Sequence, residues 1–246
     1  MDRLSARSIR RSASAIVLAA TAGASAFALL PAAAHAAAAA RPGTHHAKAS
    51  PGYVFQTLDD PADPAFNQLL GINVRGVISG YFGSGATGHP NKGYLLNPPY
   101  TSSSYVNENF PGSVQTQVTG LNNKGDTCGF WVDGHGNNRD FVEWNGVFAS
   151  YHDPSTPNTP GSVNQLLGIN DAGTAVGFYN DAAGHSHAIT LNQATGKFTP
   201  LKVPGTSKVA TGITDQGAIV GFGTNAAGVT SSWLLANGHL TGFQFP

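Results

Sequence analysis

The sequence predicts an all-β fold, a small β-propeller of four blades with about four antiparallel strands each. Three observations carry this. The 246 residues include 31 Gly and 15 Pro but only 11% charged residues, a composition suited to many short strands joined by tight turns. Glycine pairs recur at Gly71 and Gly80, Gly120 and Gly129, Gly168 and Gly177, and Gly212 and Gly221; each pair is nine residues apart, and successive pairs start 49, 48 and 44 residues apart. Repeats of that period are typical of propellers and related β-arrays. Between the glycines, apolar residues alternate with polar ones at the period of a strand. An open β-array or a sandwich-like barrel built from the same strands is the alternative.

The chain divides into a leader, a linker and the repeats. Arg3, Arg7, Arg10 and Arg11 precede an Ala-rich apolar run over 13–30, followed by Pro31 and the small-residue pattern Ala34-His35-Ala36. This predicts a secretory signal peptide over 1–36 and a secreted, extracellular protein with no stable membrane insertion after cleavage. Residues 37–52, including His45-His46, read as a disordered linker. The β-repeat domain is expected over 53–246, with units at about 66–111, 114–154, 163–204 and 207–246.

Cleavage after Ala36 would remove four of the 13 basic and one of the 13 acidic residues, leaving nine against twelve. The exported chain then carries no basic stripe, which argues against nucleic acid as a partner. Nothing in the sequence calls for a partner chain, so a monomer is expected. Cys128, the single cysteine, cannot form an internal disulfide. It occupies the position of Ser79, Val176 and Val220 and reads as a small core residue.

Each unit can be parsed into four strands. The first covers 68–72, 117–121, 165–169 and 209–213. A turn follows that opens with Asn73, Asn122, Asn170 or Thr214 and closes with Gly76, Gly125, Gly173 or Gly217; Asn bonds its local backbone and Gly accepts positive φ. The second strand holds the second glycine and an aromatic after it. The third centres on Tyr94, Phe141, Ile189 and Trp233. The fourth is marked by an apolar residue with Pro six positions on: Tyr105 and Pro111, Phe148 and Pro154, Phe198 and Pro204, Leu240 and Pro246. Phe55 and Pro61 repeat that mark, predicting an extra N-terminal strand that closes the ring.

The third unit, from Gly168 through Asn170, Asp171, Gly173, Val176, Gly177, Gly184, His187 and Ala188 to Ile189, resembles the HAF repeat of extracellular bacterial proteins. The other units depart from it, reading Lys92-Gly93-Tyr94, Arg139-Asp140-Phe141 and Ser231-Ser232-Trp233 at the His-Ala-Phe position. The resemblance implies a secreted, propeller-like repeat protein and brings no established chemistry.

Candidate chemistry is sparse. His185 and His187 alternate on a strand with Asp181 just upstream, a weak metal-ligand set that no other unit repeats. A carboxylate pair for hydrolysis would have to come from Glu108 and Glu143, the only glutamates, and from Asp59, Asp60, Asp63, Asp126, Asp133, Asp140, Asp153 and Asp215, which are scattered over turns, and nothing in the sequence selects a pair. There is no nucleophile elbow, phosphate loop or zinc-protease motif, and no cofactor is implied. Trp131, Trp144 and Tyr179 offer stacking platforms for a glycan or another cell-surface component. Gln68, Gln117 and Gln165 recur on the first strand, innermost in propellers, where they would line a channel or bond neighbouring blades. The function expected is a secreted non-enzymatic binding or structural module. The alternative is an extracellular polysaccharide hydrolase or lyase using carboxylates on a propeller face.

Overall fold

The structure, a computed structural model, describes residues 54–243. The signal peptide expected over 1–36 and the linker over 37–52 lie outside the described residues. Sixteen strands form four antiparallel sheets, each from four consecutive strands. The first comprises β1 (Asn67–Ile72), β2 (Ile78–Phe82), β3 (Lys92–Leu96) and β4 (Tyr105–Asn107). The second comprises β5 (Gln115–Leu121), β6 (Thr127–Val132), β7 (Asn138–Trp144) and β8 (Val147–Tyr151). The third holds β9 (Asn164–Ile169), β10 (Thr174–Asn180), β11 (Ser186–Asn192) and β12 (Lys197–Pro200). The fourth holds β13 (Ser207–Ile213), β14 (Ile219–Thr224), β15 (Thr230–Ala236) and β16 (His239–Phe243). These are the four blades that the glycine pairs predict. One 3-10 turn, Ser102–Ser104, is the only helical element among the described residues.

The two glycines of each unit have separate tasks. The second pairs directly with the centre of the third strand: Gly80 with Tyr94, Gly129 with Phe141, Gly177 with Ile189, Gly221 with Trp233. A methyl group on any of them would collide with a carbonyl of the same unit's first strand, that of Gln68, Gln117, Gln165 or Val209. The third-strand residues are thereby seated at 0–2% exposure as the centre of each sheet's core. The first glycines stack between units: a methyl on Gly120 would lie 2.9 Å from Gly168 Cα, and one on Gly168 would lie 3.3 Å from Gly212 Cα. Just before each first glycine the ladder slips by one residue, leaving Leu70, Thr119, Leu167 and Thr211 as bulges. A bulge bends its strand and sharpens its twist, so all four units turn at the same place.

Packing between sheets runs from the second and third strands of one unit onto the first strand of the next. Cys128 and Val142 meet Leu166 and Ile169, and Val176 and Ala188 meet Ala210 with Ile213 beside it. Among the described residues the first and fourth sheets share no comparable interface.

Among the described residues no strand forms over 54–66, which corrects the closing-strand expectation there. The first strand begins at Asn67, and Phe55 is 92% exposed. Local anchoring explains this: Leu58 packs onto the Ile78, Tyr94 and Leu96 cluster of the first sheet. The Asp60 amide also donates to Asn67 Oδ1 (2.9 Å), and the Asn67 amide group donates to the Asp63 carbonyl (2.9 Å). The segment is therefore held against the first unit, and β16 supplies the outer strand of the fourth sheet from within its own unit.

Candidate functional site

The corner turns form a ladder that links the units. In the second unit, Asn122 Oδ1 accepts hydrogen bonds from the amides of Lys124, Gly125 and Asp126 (3.0, 2.9 and 2.9 Å). Its side-chain nitrogen reaches the Asn170 carbonyl of the next unit at 3.3 Å. Asn73 likewise donates to the Asn122 carbonyl, and Asn170 to the Thr214 carbonyl. One residue on, backbone amides donate to the next unit's side chain: Val74 to Asn123 Oδ1, Asn123 to Asp171 Oδ1, Asp171 to Asp215 Oδ1. Asp171 thus has a structural role as an acceptor. Val74 stands at the one position of the series to which no preceding unit donates.

The outer loop of the third unit gathers the metal-ligand candidates. Asp181 Oδ1 accepts the Ala183 and His185 amides (2.9 and 3.0 Å), closing the turn that the positive φ of Gly184 completes. Its Oδ2 lies 2.8 Å from His187 Nε2 and 3.6 Å from His185 Nδ1. The His187 ring stacks on Tyr179 with centroids 5.0 Å apart. Both imidazoles are thus turned toward the carboxylate, and no metal-holding group of three such side chains occurs among the described residues. The His187 hydrogen bond, then the loop amide of His185, hold the Asp181 carboxyl down at about 2.

The stacking candidates are partly engaged. Trp131 stacks on Phe110 with centroids 4.2 Å apart, and its indole N–H donates to Ser150 Oγ (3.1 Å). Trp144 packs on the core between the second and third units and has the Lys124 ammonium 5.7 Å from its ring centroid. Tyr179 is buried beneath His187. The glutamines lie on β1, β5 and β9, but Gln117 and Gln165 are buried, and Gln117 Nε2 donates to Asn91 Oδ1 of the preceding unit (2.8 Å). Between the two readings for Gln117, this favours bonding between blades.

Two features escaped the sequence reading. Glu108 and Glu143 come within electrostatic reach around Thr127, whose hydroxyl donates to Glu108 Oε1 (2.8 Å). Burial pushes both carboxyls up, and Glu143 adds to the rise at Glu108. Glu108 follows β4 of the first unit and Glu143 lies on β7 of the second, so no local spacing could disclose the pair. Asp140 is fully buried on β7, opposite the third unit, with neither carboxyl oxygen in a complete hydrogen bond. Burial raises its carboxyl well above the ordinary range, the Leu166 amide opposes the rise, and Asp153 adds to it. A signal did exist: Asp140 stands where the other units keep Gly93, Ala188 and Ser232.

No family model matches the chain, and no curated protein does. Among solved structures it is similar to TolB from Acinetobacter baumannii, a β-propeller protein, with a TM-score of 0.53 and 10% identity. The match covers 72% of this chain and 43% of that one, so the chain spans less than half the length of TolB. An arginine-to-alanine triple mutant of AofleA from Arthrobotrys oligospora aligns at TM-score 0.41 and 12% identity, over 71% of this chain and 55% of that one. At such identity the TolB likeness shows a propeller-like fold alone.

Proposed function

We propose that the chain is a secreted, non-enzymatic β-repeat module at the bacterial cell exterior, of the HAF-repeat kind, which binds a glycan or another cell-surface component or serves as a structural element there. One observation carries the reading. The residues that recur from unit to unit, the corner Asn and the two glycines, all serve hairpin geometry and the joints between units. The aromatic and polar groups that differ between units, half-buried Trp131 and Trp144 and His187 stacked over the buried Tyr179, are where a ligand would be read. The near-neutral charge supports an uncharged or weakly charged partner rather than nucleic acid.

The test has two parts. The protein should be recovered from the culture medium of an expressing bacterium, shortened by the leader. It should then bind at least one preparation in a panel of cell-wall and capsular glycans, with loss of binding in Trp144→Ala. Retention in the cytoplasm would overturn the placement, and an absence of binding across the panel would leave only the structural role.

A second reading, hydrolysis or elimination of a polysaccharide, draws on the Glu108 and Glu143 juxtaposition. It requires release of reducing ends or unsaturated products that Glu108→Gln abolishes.

A further inference from the structure

The fourth unit ends in an apolar face that the internal units keep covered, and the first unit begins with its counterpart. Position by position, Val220 corresponds to Cys128 and Val176. Those two are 0% exposed beneath the following unit, whereas Val220 is 45% exposed. Leu69 and Ile72 correspond to Leu166 and Ile169 of the third unit, which pack on Cys128 at 0% and 5% exposure. Leu69 and Ile72 themselves are 45% and 66% exposed. The glycine column stops at the same edge: a methyl on Gly212 would meet only its own unit's Val220, where Gly71, Gly120 and Gly168 each meet the next unit.

These two faces are the separated halves of one interface that the chain builds three times internally. We propose that the occupant is a second copy of this chain, joined head to tail, with the Val220 face of one copy on the Leu69 and Ile72 face of the next. The mode is heterologous, because two different patches of the same molecule meet. Continuity with the internal joints argues for it: the same strands, β14 in place of β6 or β10 and β1 in place of β9 or β13, present apolar side chains at the same register. The turn ladder does not cross the seam, since Val74 offers no acceptor and Thr214 no amide donor. Association there rests on apolar contact and is weaker than the internal joints, so it is concentration-dependent. This departs from the monomer that the sequence suggests.

Sedimentation of the purified chain over a dilution series tests it. The expected result is a shift from the mass of one chain to twice that mass or a longer series as concentration rises. Val220→Asp alone and Ile72→Lys alone should each sediment as one chain, with unchanged thermal unfolding. Mixing the two variants should restore association, because the mixed pair has one seam with Asp against Lys and one with both native residues. A single-chain mass at every concentration would overturn the proposal, whether another part of the chain or a different partner covers the faces. Association untouched by either variant would overturn it as well. Should the charged variants fail to fold, the double variant Val220→Cys with Ile72→Cys provides the second measurement. Oxidation should link copies into disulfide-bonded multimers, and the absence of linkage between copies would sink the idea.

Discussion

Asn122 donates its side-chain amide to the carbonyl of Asn170, 48 residues on, while its carbonyl oxygen gathers three amides of its own turn. One buried side chain thus shapes a corner and fastens it to the next unit. Asn122→Ala would leave buried backbone donors unpaired at about 1–3 kcal/mol in aggregate, and a fall in the midpoint of chemical unfolding measures it. Thr214→Ala is the control: no following unit takes a bond from it, so it should cost less than half as much.

Gly177 tests the other repeated constraint. Its ordinary φ is open to any residue, so only the crowding of the Gln165 carbonyl and the Leu166 backbone forbids a side chain. Gly177→Ala should therefore destabilise by at least about 2–3 kcal/mol through backbone displacement. Gly184→Ala, in open space at a φ of 84°, should cost only about 1 kcal/mol for the left-handed conformation. Thermal unfolding of both variants decides; equal losses would show that conformation, and not crowding, governs the strand position.

The corners were legible because Asn and Gly at fixed spacing act within one turn, and the third-strand centres because Tyr94, Phe141, Ile189 and Trp233 are large apolar residues at a common register. The bulges were not: Leu70, Thr119, Leu167 and Thr211 share no side-chain chemistry, since what they share is a backbone step before a glycine. The Phe55 and Pro61 spacing imitated a strand, because an apolar residue six positions before Pro says nothing of whether an edge is free to pair. At the candidate sites, pattern located Asp181, His185 and His187 together. It could not disclose that the carboxylate is occupied in holding the loop, nor that Glu108 lies within electrostatic reach of Glu143, because those partners come from tertiary placement.

Cys128 should behave as a core residue. It is fully buried against Leu166 and Ile169, and burial pushes its thiol up, so almost no thiolate is present near neutral pH. A maleimide or disulfide reagent should leave the folded protein unmodified and react stoichiometrically once denaturant is added. Cys128→Val, the residue at position 176, should unfold within about 1 kcal/mol of the wild type. Rapid labelling of the native chain would refute the buried assignment.

Asp181 makes stability sensitive to acid in one window. Its folded value of about 2 lies below the ordinary 3.8, so the native state binds fewer protons than the unfolded state between the two. Its contribution is complete above about pH 4 and is lost as the pH falls through about 2. Asp181→Asn should flatten the stability profile there, lying below the wild type above about pH 4 and approaching it as the pH falls to about 2, as read by thermal unfolding across pH 2 to 7. His187→Ala should remove most of the same effect, because the imidazole is the main cause of the depression.

Asp140 predicts the opposite slope. Its folded carboxyl keeps its proton well above the ordinary range because burial between the second and third units disfavours the charge. Above about pH 4 the unfolded chain releases that proton while the native state retains it, so the native state binds more protons. Stability then falls as pH rises, by up to about 1.4 kcal/mol per pH unit, until the folded carboxyl ionises. Asp140→Asn keeps the shape of the side chain and cannot ionise. Its unfolding midpoint should gain on the wild type as the pH rises above about 4, for as long as the folded carboxyl keeps its proton, whereas the two should converge near pH 4. Parallel profiles above pH 4 would mean that the carboxyl is already charged in the folded protein and that the facing Leu166 amide, which opposes the rise, is enough to compensate it.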